Sequence, residues 1–545
     1  MSQRSRNLPG DAAVIRQERL LPFLLDPRSY PHRPRSVTLI QTHGAFVFVA
    51  PPFVYKVKKA VNFGFLNFST LQRRRHCCER EVVLNRRLTS DLYLGVLPIT
   101  EKGGRFAWDG DGRVVEVAIQ MRRLAPAYFL DRRLDRGAVT PADLERVAAR
   151  MAAFYRTQAP GARVSRAGGA DQVRRLTDGN FQHMRQFAGR TLPDASLQAL
   201  EAYTARAFQR LARAFEARVR EGHVVDGHGD LHLEHIHLTP RTLNIYDCIE
   251  FNDRFRQLDV AADIAFLAMD LDFRGRPDLA RLVSERVSQA LNDPGLLRML
   301  DFYKCYRACV RGKVESLRSV AHAAPHGERT DAAVRARDYF RLALRYAVSG
   351  SSPMVLVVLG PPATGKSTVA AALARELGWD RLVSDRLRKE LAGVPLHHRG
   401  SSAERRQLYS RARTEATYEA LIVAAVTEAA RGQSVILDAT FSARRHRETL
   451  RKRCAGAGAD CCFIELWAPA TILRARLEAR ARAPGEVSDA RLEDLSTVLR
   501  RYHPPSELPS RDRIRIGTSR PSDAVLARIL TALARRQAGR GSSRR

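Results

Sequence analysis

The pattern of apolar and polar positions divides the chain into two regions of different character. The first region opens with strand-like stretches, and one charged helix is predicted among them, from about Thr70 to Leu88. From about Pro141 onward the apolar spacing becomes mostly helical. This region is therefore predicted to join a β-rich part to a helical part. The predicted strands lie in SVTLIQTHGAFVFVA, FVYKVKKA, YLGVLPIT and VVEVAIQM.

The second region alternates strictly between strands of a buried type and helical stretches. Its strands are predicted in MVLVVLG, RLVSD, SVILDAT and CCFIELWA. Because a helical stretch separates each strand from the next, the chain can cross over between strands that run in the same direction. The pattern predicts a parallel sheet with helices on both faces.

The domain boundaries are predicted from shifts in composition. The helical pattern ends near Tyr346, and a short linker rich in serine and glycine follows. The tail RRQAGRGSSRR has no apolar periodicity and is expected to be disordered. The predicted division is an N-terminal extension (1–34), a first domain (35–347), a linker (348–353), a second domain (354–535) and a disordered tail (536–545).

The bulk composition is that of a globular protein. The chain has 545 residues, enough for two or three domains, and 45% of them are apolar. Eighteen apolar residues never follow one another without a charge, and the N-terminus lacks the apolar run of a secretory signal. The eight cysteines include adjacent pairs at 77–78 and 461–462, which have no zinc-site spacing. We expect a cytoplasmic protein with reduced, mostly buried cysteines and no membrane contact.

The net charge is strongly positive, at +33 with 91 basic and 58 acidic residues. A surface this basic can bind nucleic acid or phosphorylated molecules. Nine of the basic residues are lysines, and the 82 arginines are spread along the whole chain. A GC-rich genome produces the same bias, so we prefer this compositional explanation, and a nucleic-acid contact stays open as the alternative.

The stretch GPPATGKST fits the pattern G-x-x-x-x-G-K-[ST] in full, with a predicted strand before it and a helix after it. Glycines in such a loop let successive backbone N–H groups turn toward phosphate groups. Lys366 is expected to reach the β- and γ-phosphates of ATP, and Ser367 to bind Mg²⁺. A plain glycine turn is the alternative, but so few lysines make a chance match rare. The predicted nucleotide-binding residues are Gly360, Pro361, Pro362, Ala363, Thr364, Gly365, Lys366, Ser367 and Thr368.

Two acidic residues after later strands are candidates for the chemistry of phosphoryl transfer. Asp385, in SDRLRK, can accept a proton from a substrate hydroxyl, while Arg386 and Arg388 can bind an anionic acceptor. The alternative for Asp385 is that it caps the following helix. Asp438, at the end of the strand in SVILDATF, is a candidate for the magnesium shell or for the attacking group.

A lid is predicted in LRARLEARARAPGEVSDARLED, where an arginine-rich helix, a Pro-Gly break and a new helix follow one another. Arginines on such a lid can close over the phosphates of a bound nucleotide. Arg476, Arg480 and Arg482 are the candidates. The alternative is a solvated helix face in an arginine-rich protein.

A second candidate site is predicted in the first region, from HGDLHLEHI and NIYDCIEFN. Transfer of a γ-phosphoryl group needs a lysine on the phosphates, metal ions, and a carboxylate that orients the attacking hydroxyl. Asp230, in a tight loop, is the candidate for that carboxylate. Asp247, at the end of a short strand, is the candidate metal ligand. The alternative for Asp230 is that it caps backbone amides in a turn.

The lysine of this second site is predicted in FVYKVKKA. Strand alternation puts Lys56 and Lys58 on the same face, and we prefer Lys56 as the phosphate-binding residue. A solvated lysine on an edge strand is the alternative. Glu81 is expected to pair with this lysine, and Glu79 is the second choice. The histidines at 228, 232, 235 and 237 have a spacing that fits no common zinc ligand set, so no zinc site is predicted.

HGDLH and DCIEFN together resemble the signature of the aminoglycoside phosphotransferase-like kinases, H-G-D-x-H-x-x-N followed by a strand with I-D-x-E. The resemblance covers roughly residues 35–320 and implies a kinase-like fold, with Asp230 as catalytic base and Asp247 as magnesium ligand. His235 stands where the family has asparagine as a second metal ligand, and histidine is a poor ligand for Mg²⁺. The phosphate-covering turn, THGAF, has a single glycine. Either Glu250 or Asn252 helps to bind the metal, or the site is catalytically weak.

The second region resembles P-loop kinases of the polynucleotide-kinase, gluconate-kinase and zeta-toxin type, from about Met354 to YHPP at 502–505. Chains that join both regions in this order resemble a bacterial family of bifunctional aminoglycoside phosphotransferase-like and ATP-binding proteins. The implied fold class is multidomain α/β. An N-terminal two-lobed protein-kinase-like (α+β) domain is followed by a P-loop kinase domain with a parallel sheet.

These features predict an ATP- and Mg²⁺-dependent phosphotransferase. Its acceptor would be a hydroxyl of a small molecule or a nucleic-acid end, with two potential nucleotide sites and accompanying ATPase activity. The alternative is an ATP-binding or ATP-hydrolysing switch, or a nucleic-acid-binding regulator, whose N-terminal kinase-like region is non-catalytic. Aminoglycosides are polycations, so a chain this basic is not expected to act on them.

Overall fold

The computed structural model describes residues 17–64, 66–89, 91–158, 161–321, 325–398, 401–481 and 492–540. The chain forms two compact units, each with discontinuous sequence. Unit 1 comprises Met1–Val173 and Arg213–Tyr303, and unit 2 comprises Arg174–Ala212 and Lys304–Arg545. None of the described helices is long and apolar enough to cross a membrane. All eight cysteines are buried and unbridged, as predicted.

The strands and helices of the described residues are numbered in chain order. The strands are β1 (Thr38–Gln41), β2 (Ala45–Ala50), β3 (Phe53–Lys58), β4 (Tyr93–Lys102), β5 (Arg105–Trp108), β6 (Arg113–Arg122), β7 (Val224–Asp226), β8 (Ile236–Leu238), β9 (Leu243–Ile245), β10 (Gln257–Asp259), β11 (Met354–Leu359), β12 (Asp380–Val383), β13 (Val435–Asp438), β14 (Asp460–Trp467) and β15 (Arg513–Gly517). The helices are α1 (Leu21–Leu25), α2 (Leu71–Asn85), α3 (Leu130–Asp135), α4 (Pro141–Thr157), α5 (Ala162–Ala167), α6 (Ala170–Met184), α7 (Asp194–Arg220), α8 (Asp253–Arg256), α9 (Val260–Phe273), α10 (Pro277–Leu291), α11 (Pro294–Ser319), α12 (His326–Ser349), α13 (Lys366–Leu377), α14 (Ser384–Ala392), α15 (Ser402–Leu408), α16 (Arg411–Ala430), α17 (Arg444–Gly456), α18 (Ala470–Ala481), α19 (Leu495–Arg501) and α20 (Ser522–Gly539).

Unit 1 contains a six-stranded antiparallel sheet in the order β1-β2-β3-β6-β4-β5. The hairpin β1–β2 contains the predicted THGAF turn, and Thr42 Oγ1 accepts a hydrogen bond from the amide of Ala45. Strand β3 alternates as expected, because Tyr55 and Val57 enter the apolar core on one face of the sheet. Helix α2 follows β3 and packs on β4 and β6.

Residues 17–34, predicted as part of an N-terminal extension, belong to the core of unit 1. Leu24 of α1 and Tyr30 are buried in the same apolar cluster as Tyr55. The Gln17 amide nitrogen donates to the carbonyl of Lys58 at 2.8 Å and to Glu116 at 2.7 Å. The run LLPFLL at 20–25 indicates that this segment has an apolar face to bury, but the surface that it packs against comes from later parts of the chain and is seen only in the folded structure.

The rest of unit 1 is mainly helical, and it holds the loop that contains HGDLH. The loop lies in the sequence between β7 and β8, each of which belongs to a short antiparallel pair, β7–β10 and β8–β9. Helix α9 is buried from Val260 to Leu271. Its aspartates therefore lie inside the unit, and they need polar partners there.

Unit 2 contains a five-stranded parallel sheet in the order β12-β13-β11-β14-β15. The four predicted strands are present, and β11 is buried along its whole length. Helices α16 and α17 contribute Leu421 and Leu450 to the core on β11 and β13. The fifth strand, β15, was not predicted, although isoleucine and arginine alternate along it with the period of a strand.

The boundary between the units differs from the predicted linker at 348–353. Helix α12 belongs to unit 2 and contacts α13 and α20. Arg345 Nε donates to the carbonyl of Leu377 at 2.6 Å, and Phe340 and Leu344 of α12 are buried. The composition changes at the linker, but α12, which precedes the linker, packs with the helices that follow it because it buries an apolar face within unit 2.

Replacing Leu24 with alanine tests whether the N-terminal segment stabilises unit 1. Leu24 is 1% exposed and Leu25 is 40% exposed, so the two neighbours form a matched pair. We expect Leu24→Ala to lower the free energy of unfolding of unit 1 by about 2–4 kcal/mol through the cavity it leaves. Leu25→Ala is expected to change it by less than about 0.5 kcal/mol.

The measurement is urea unfolding followed by Trp108 fluorescence, after Trp379 and Trp467 have been replaced by phenylalanine. Trp108 packs beside Tyr30, with ring centroids 5.5 Å apart, so it reports on this core. If Leu24→Ala and Leu25→Ala lower the free energy of unfolding equally, Leu24 does not stabilise the core of unit 1 as proposed.

Candidate functional sites

The phosphate-binding stretch of unit 2 lies between a buried strand and the start of a helix. Strand β11 ends at Leu359, residues 360–365 form the turn, and α13 begins at Lys366. The amides of a helix N-terminus have no partner within the helix and carry partial positive charge. The turn therefore brings the chain to a position that attracts phosphate groups.

Two glycines allow the turn to close. Gly360 has a φ of 147° and Gly365 a φ of 88°, which residues with a side chain rarely adopt. A Cβ atom at Gly360 would lie 2.4 Å from the carbonyl oxygen of Leu466 in the neighbouring strand β14. Ala363 also has a positive φ, 62°, although the motif does not require glycine there. The loop thus contains two glycines in backbone conformations that glycine adopts easily and one alanine in a strained conformation.

The motif lysine lies over the loop. Lys366 Nζ donates to the carbonyl of Pro361 at 3.0 Å, and Thr364 Oγ1 donates to the same carbonyl at 2.8 Å. An ammonium in this position can exchange a carbonyl for phosphate oxygens with a small movement of its flexible side chain. The role of Lys366 in phosphate binding stays a prediction.

Arg476, one of the predicted lid arginines, contacts the phosphate-binding loop and the residue Thr518. Its guanidinium donates to the carbonyl of Ala363 at 3.2 Å and to the carbonyl of Thr518 at 2.6 Å. Thr518 Oγ1 in turn donates to the carbonyl of Thr364 at 2.9 Å. The side chain of Arg480, and all of Arg482, lie outside the described residues.

Asp438 ends β13 and faces the start of α13. It pairs in register with Val358 of β11, so it lies beside the phosphate-binding turn. Burial raises the pKa of Asp438, and Lys366 and a hydrogen bond from Ser367 oppose that rise. Its Oδ2 lacks a hydrogen-bond partner among the described residues. A buried carboxylate beside a serine hydroxyl offers the hard oxygen donors that Mg²⁺ prefers, so the two residues fit the predicted ion.

Asp385 lies in the first turn of α14, directly after β12. The N-cap residue of α14 is Val383, so Asp385 does not hold the capping position. Strands β12 and β13 are parallel neighbours, with Val383 paired to Asp438. Asp385 and Asp438 therefore lie at the same edge of the sheet, where two acidic groups can act on one bound substrate.

The two arginines beside Asp385 have different surroundings. Arg386 is exposed and pairs with Glu390 within α14. Arg388 is buried, lies 4.5 Å from the ring centroid of Tyr409 and donates to Thr414 Oγ1 at 3.2 Å. A buried guanidinium that is already held in place can bind an anion with little loss of side-chain freedom. Arg388 is therefore the better candidate for an anionic acceptor.

In unit 1, Lys56 and Lys58 lie on the same face of β3, as predicted, and both contact Glu81 of α2. Lys56 Nζ is 2.9 Å from Glu81 Oε1, and Lys58 Nζ is 2.6 Å from Glu81 Oε2. Lys56 also contacts Asp247 at 2.5 Å, and Lys58 contacts Glu250 at 2.5 Å. These five side chains form one row of alternating charges, here called the charge ladder.

The charge ladder is largely buried, with side-chain exposures of 0% for Glu81 and 2% for Lys58. Its three carboxylates exceed its two ammonium groups by one negative charge. Burial raises the pKa of Glu250, and the nearby Lys58 ammonium opposes that rise. Burial opposes the charge on Lys56, but Asp247 and Glu81 raise its pKa well above the ordinary value. Lys56 therefore stays charged at neutral pH.

The loop with HGDLH is shaped by Asp263 of α9, which sequence reasoning missed. Its carboxylate accepts hydrogen bonds from the amides of His228 at 2.7 Å and Gly229 at 2.9 Å. Gly229 has a φ of 85°, and a Cβ there would lie 2.8 Å from the carbonyl of Phe255. Asp263 thus performs the capping that was the alternative role for Asp230. No local signal reveals this role of Asp263, because Asp263 lies more than thirty residues after the HGDLH loop in the sequence.

Asp230, His235 and Asp247 come close together, as predicted. His235 Nε2 lies 3.5 Å from Asp247 Oδ2, and His235 Nδ1 lies 2.9 Å from the main-chain carbonyl of Asp230. Burial disfavours ionisation of Asp247, but Lys56 and His235 outweigh burial and lower the pKa of this carboxyl. Asp247 has a φ of 61°, which is unusual for a residue other than glycine. Such strain is common at functional positions.

The two residues considered as helpers in metal binding have other partners. Glu250 is bound to Lys58 in the charge ladder. Asn252 caps α8, where its side chain accepts a hydrogen bond from the amide of Arg254 at 3.1 Å. Neither is therefore positioned as a replacement for the family's asparagine. Lys58 was missed as part of the site, although its place on the same strand face as Lys56 was visible in the sequence.

Comparison with known proteins supports the assignment of unit 2. Residues 355–505 match the family model of an AAA domain. Cytidylate kinase from Pseudomonas aeruginosa is 34% identical over 152 residues, which cover 28% of this chain and 61% of that enzyme. The residues matched by the family model include the phosphate-binding turn, Asp385 and Asp438. Unit 2 thus contains a P-loop nucleotide-binding domain of the kinase type.

A longer match covers both units. The uncharacterized protein Rv2004c from Mycobacterium tuberculosis is 30% identical over 461 residues, which cover 85% of this chain and 89% of that protein. Among solved structures, the APS kinase from Mycobacterium tuberculosis aligns at 26% identity with a TM-score of 0.25. That alignment covers 33% of this chain and 97% of the APS kinase.

Replacing Glu81 tests the charge ladder, and its exposed neighbour Glu79 provides the matched control. Glu81→Gln removes the charge shared by two buried lysines, so we expect the unfolding free energy of unit 1 to fall by about 3 kcal/mol or more. Glu79→Gln is expected to change it by less than about 0.5 kcal/mol. Urea unfolding with Trp108 fluorescence measures both. A Glu81→Gln protein as stable as the control would show that the ladder contributes no net stability.

Proposed function

This chain belongs to the family of the Mycobacterium tuberculosis protein Rv2004c, and we propose that it is an ATP- and Mg²⁺-dependent phosphotransferase. It transfers the γ-phosphoryl group to a hydroxyl of a small molecule or of a nucleic-acid end. Unit 2 is the principal catalyst. The observation that carries the proposal is the complete P-loop beside two acidic residues at the same sheet edge, Asp385 and Asp438.

Nucleotide binding in this proposal uses the turn at residues 360–365 and the first turn of α13. Backbone amides surround the phosphates, and Lys366 exchanges the carbonyl of Pro361 for phosphate oxygens. Ser367 and Asp438 would hold Mg²⁺, which would supply positive charge to the phosphates when bound. Arg476 and Thr518 keep the loop in shape through its carbonyls, so little reorganisation accompanies binding.

The acceptor binds at the edge of the sheet beside α14. Asp385 accepts the proton of the acceptor hydroxyl, whose oxygen attacks the γ-phosphorus as the bond to the β-phosphate oxygen breaks. Arg388 is positioned to bind a negative group on the acceptor. The match to cytidylate kinase supports an acceptor of this anionic kind, although the matched segment covers only part of that enzyme.

Unit 1 is proposed as a second, kinase-like nucleotide site. In this site Lys56, oriented by Glu81, would bind the phosphates, Asp247 would hold the metal, and Asp230 would act as the base. The antiparallel sheet followed by a helical part supports this assignment, as does the contact between Lys56 and Asp247. The resemblance to aminoglycoside phosphotransferase-like kinases rests on HGDLH and DCIEFN alone.

The second candidate function is an ATP-dependent switch in which unit 1 does not catalyse transfer. Two observations favour it. Lys56 is already bound by both Glu81 and Asp247, and His235 replaces the asparagine of the family signature. In this function unit 2 hydrolyses ATP slowly, and the basic surface contacts nucleic acid.

Lys366→Ala is expected to weaken ATP binding at unit 2 by about 100-fold, because charge-assisted contacts to the phosphates are lost. The exposed lysine at position 452 provides the control, and Lys452→Ala should bind as the wild type does. Titration calorimetry with a non-hydrolysable ATP analogue and Mg²⁺ measures the affinity and the number of sites. Unchanged turnover in Lys366→Ala would assign catalysis to unit 1.

Asp385→Asn is expected to lower acceptor-dependent phosphate transfer by about 10²- to 10⁴-fold while ATP binding is retained, because a general base is removed. Transfer of labelled phosphate to a panel of hydroxyl acceptors measures the effect. Glu390→Gln, which alters an exposed carboxylate on the same helix, is the control. If the protein is the ATP-dependent switch instead, no acceptor is expected to stimulate ADP release, and RNA binding is expected to weaken steeply as the salt concentration rises.

A further inference from the structure

A cluster of imidazole and carboxylate groups lies in the loop of unit 1 that contains HGDLHLEH. Asp230, His232 and His235 each offer one donor atom, and these atoms all lie within 4.8 Å of one another. His232 is buried, whereas the Asp230 side chain is 36% exposed. Solvent therefore reaches the cluster from the side of the carboxylate. The cluster is distinct from Ser367 and Asp438, which are proposed to hold Mg²⁺ in unit 2. It includes Asp230, proposed above as the base of unit 1, so Asp230 serves as a metal ligand only when it does not act as the base.

We propose that Asp230, His232 and His235 bind a divalent transition-metal ion such as Zn²⁺. His232 Nε2 lies 3.5 Å from Asp230 Oδ2, and His235 Nδ1 lies 3.6 Å from the same oxygen. Ligands about 2.0–2.1 Å from a tetrahedral zinc ion lie about 3.4 Å apart. These two donor–donor distances are close to the edge of a tetrahedral site, and the donor atoms of the two histidines are no more than 4.8 Å apart.

The donor types favour a transition metal over Mg²⁺. Imidazole nitrogen suits zinc, copper, iron and nickel, while magnesium takes oxygen ligands in an octahedron whose edges are about 3.0 Å. Two histidines and one carboxylate leave a fourth position open, as in zinc sites that also bind water or substrate. His235, which is unsuitable for the magnesium role of the family's asparagine, is well suited to this ion.

The groups around the cluster provide the second shell that such a site needs. When His235 binds the ion through Nδ1, its proton lies on Nε2, which is 3.5 Å from Asp247 Oδ2. A metal-bound histidine usually donates its other N–H to a carboxylate, and this distance has to shorten by about 0.5 Å for such a hydrogen bond. Asp247 is itself held by Lys56 at 2.5 Å. In the other tautomer of His235, Nδ1–H donates to the main-chain carbonyl of Asp230 at 2.9 Å. Binding of the ion at Nδ1 therefore replaces this hydrogen bond.

Direct metal titration tests the site in the full-length, untagged protein after treatment with a chelator and without nucleotide. Co²⁺ serves as the spectroscopic probe, and Zn²⁺ is added in competition. We expect one Co²⁺ per chain with the intense visible absorption of a tetrahedral complex, displaced by one equivalent of Zn²⁺. Asp230→Asn and His235→Asn should each weaken binding by about 100-fold or more.

His237→Gln is the matched control, because His237 is a buried histidine on the adjacent strand β8 and lies outside the cluster. It should bind Co²⁺ as the wild type does. X-ray absorption of the wild-type zinc complex gives a readout that does not depend on folding of the variants, and we expect only nitrogen and oxygen ligands. Sulfur in the zinc shell, absence of binding, or equal affinity in the control and the cluster variants would overturn the proposal.

Discussion

The P-loop of unit 2 depends on a close contact between two backbones. Gly360 lies so near the carbonyl of Leu466 that a Cβ atom at this position would be 2.4 Å away. The absence of a side chain lets β11 turn immediately at its end, beside the carboxyl end of β14. Thr518 and Arg476 then bind the loop carbonyls of Thr364 and Ala363. The phosphate-binding amides are therefore positioned by the sheet as a whole, and Asp438 and Asp385 reach the same place because parallel strands end at one edge.

Unit 1 is organised by electrostatics in a buried setting. Two lysines on one strand face would repel each other strongly if they shared no counter-ion. Glu81 contacts both, while Asp247 and Glu250 bind the outer sides of Lys56 and Lys58. Asp247 links this ladder to His235 and thereby to the imidazole cluster. Asp230 cannot serve at the same moment as a metal ligand and as an acceptor of a substrate proton, so an ion bound there would decide which of the two roles unit 1 performs.

Local patterns allowed much of the architecture to be predicted. Helix α2 was expected at about 70–88 and spans 71–85, and the four strands expected in unit 2 are all present. The contact of Glu81 with the lysines of β3 followed from strand alternation and helix position. The packing of residues 17–34 and the edge strand β15 could not be predicted in this way. Their local patterns, an apolar run at 20–25 and the alternation of isoleucine and arginine in β15, do not reveal the surfaces that they cover, which come from distant parts of the chain.

By itself the sequence determined the P-loop, the parallel sheet and the identity of the charged residues on β3, because these features depend on neighbours within one strand, turn or helix. Only the tertiary structure decided that Asp263 caps the HGDLH loop, that α12 packs within unit 2 and that Arg476 braces the phosphate-binding turn. It also decided that Asp230, His232 and His235 share one small space. The physical reason is that a hydrogen bond or a metal ligand is defined by distance in space, and residues far apart along a chain come within a few ångströms only when the packed core brings their elements together.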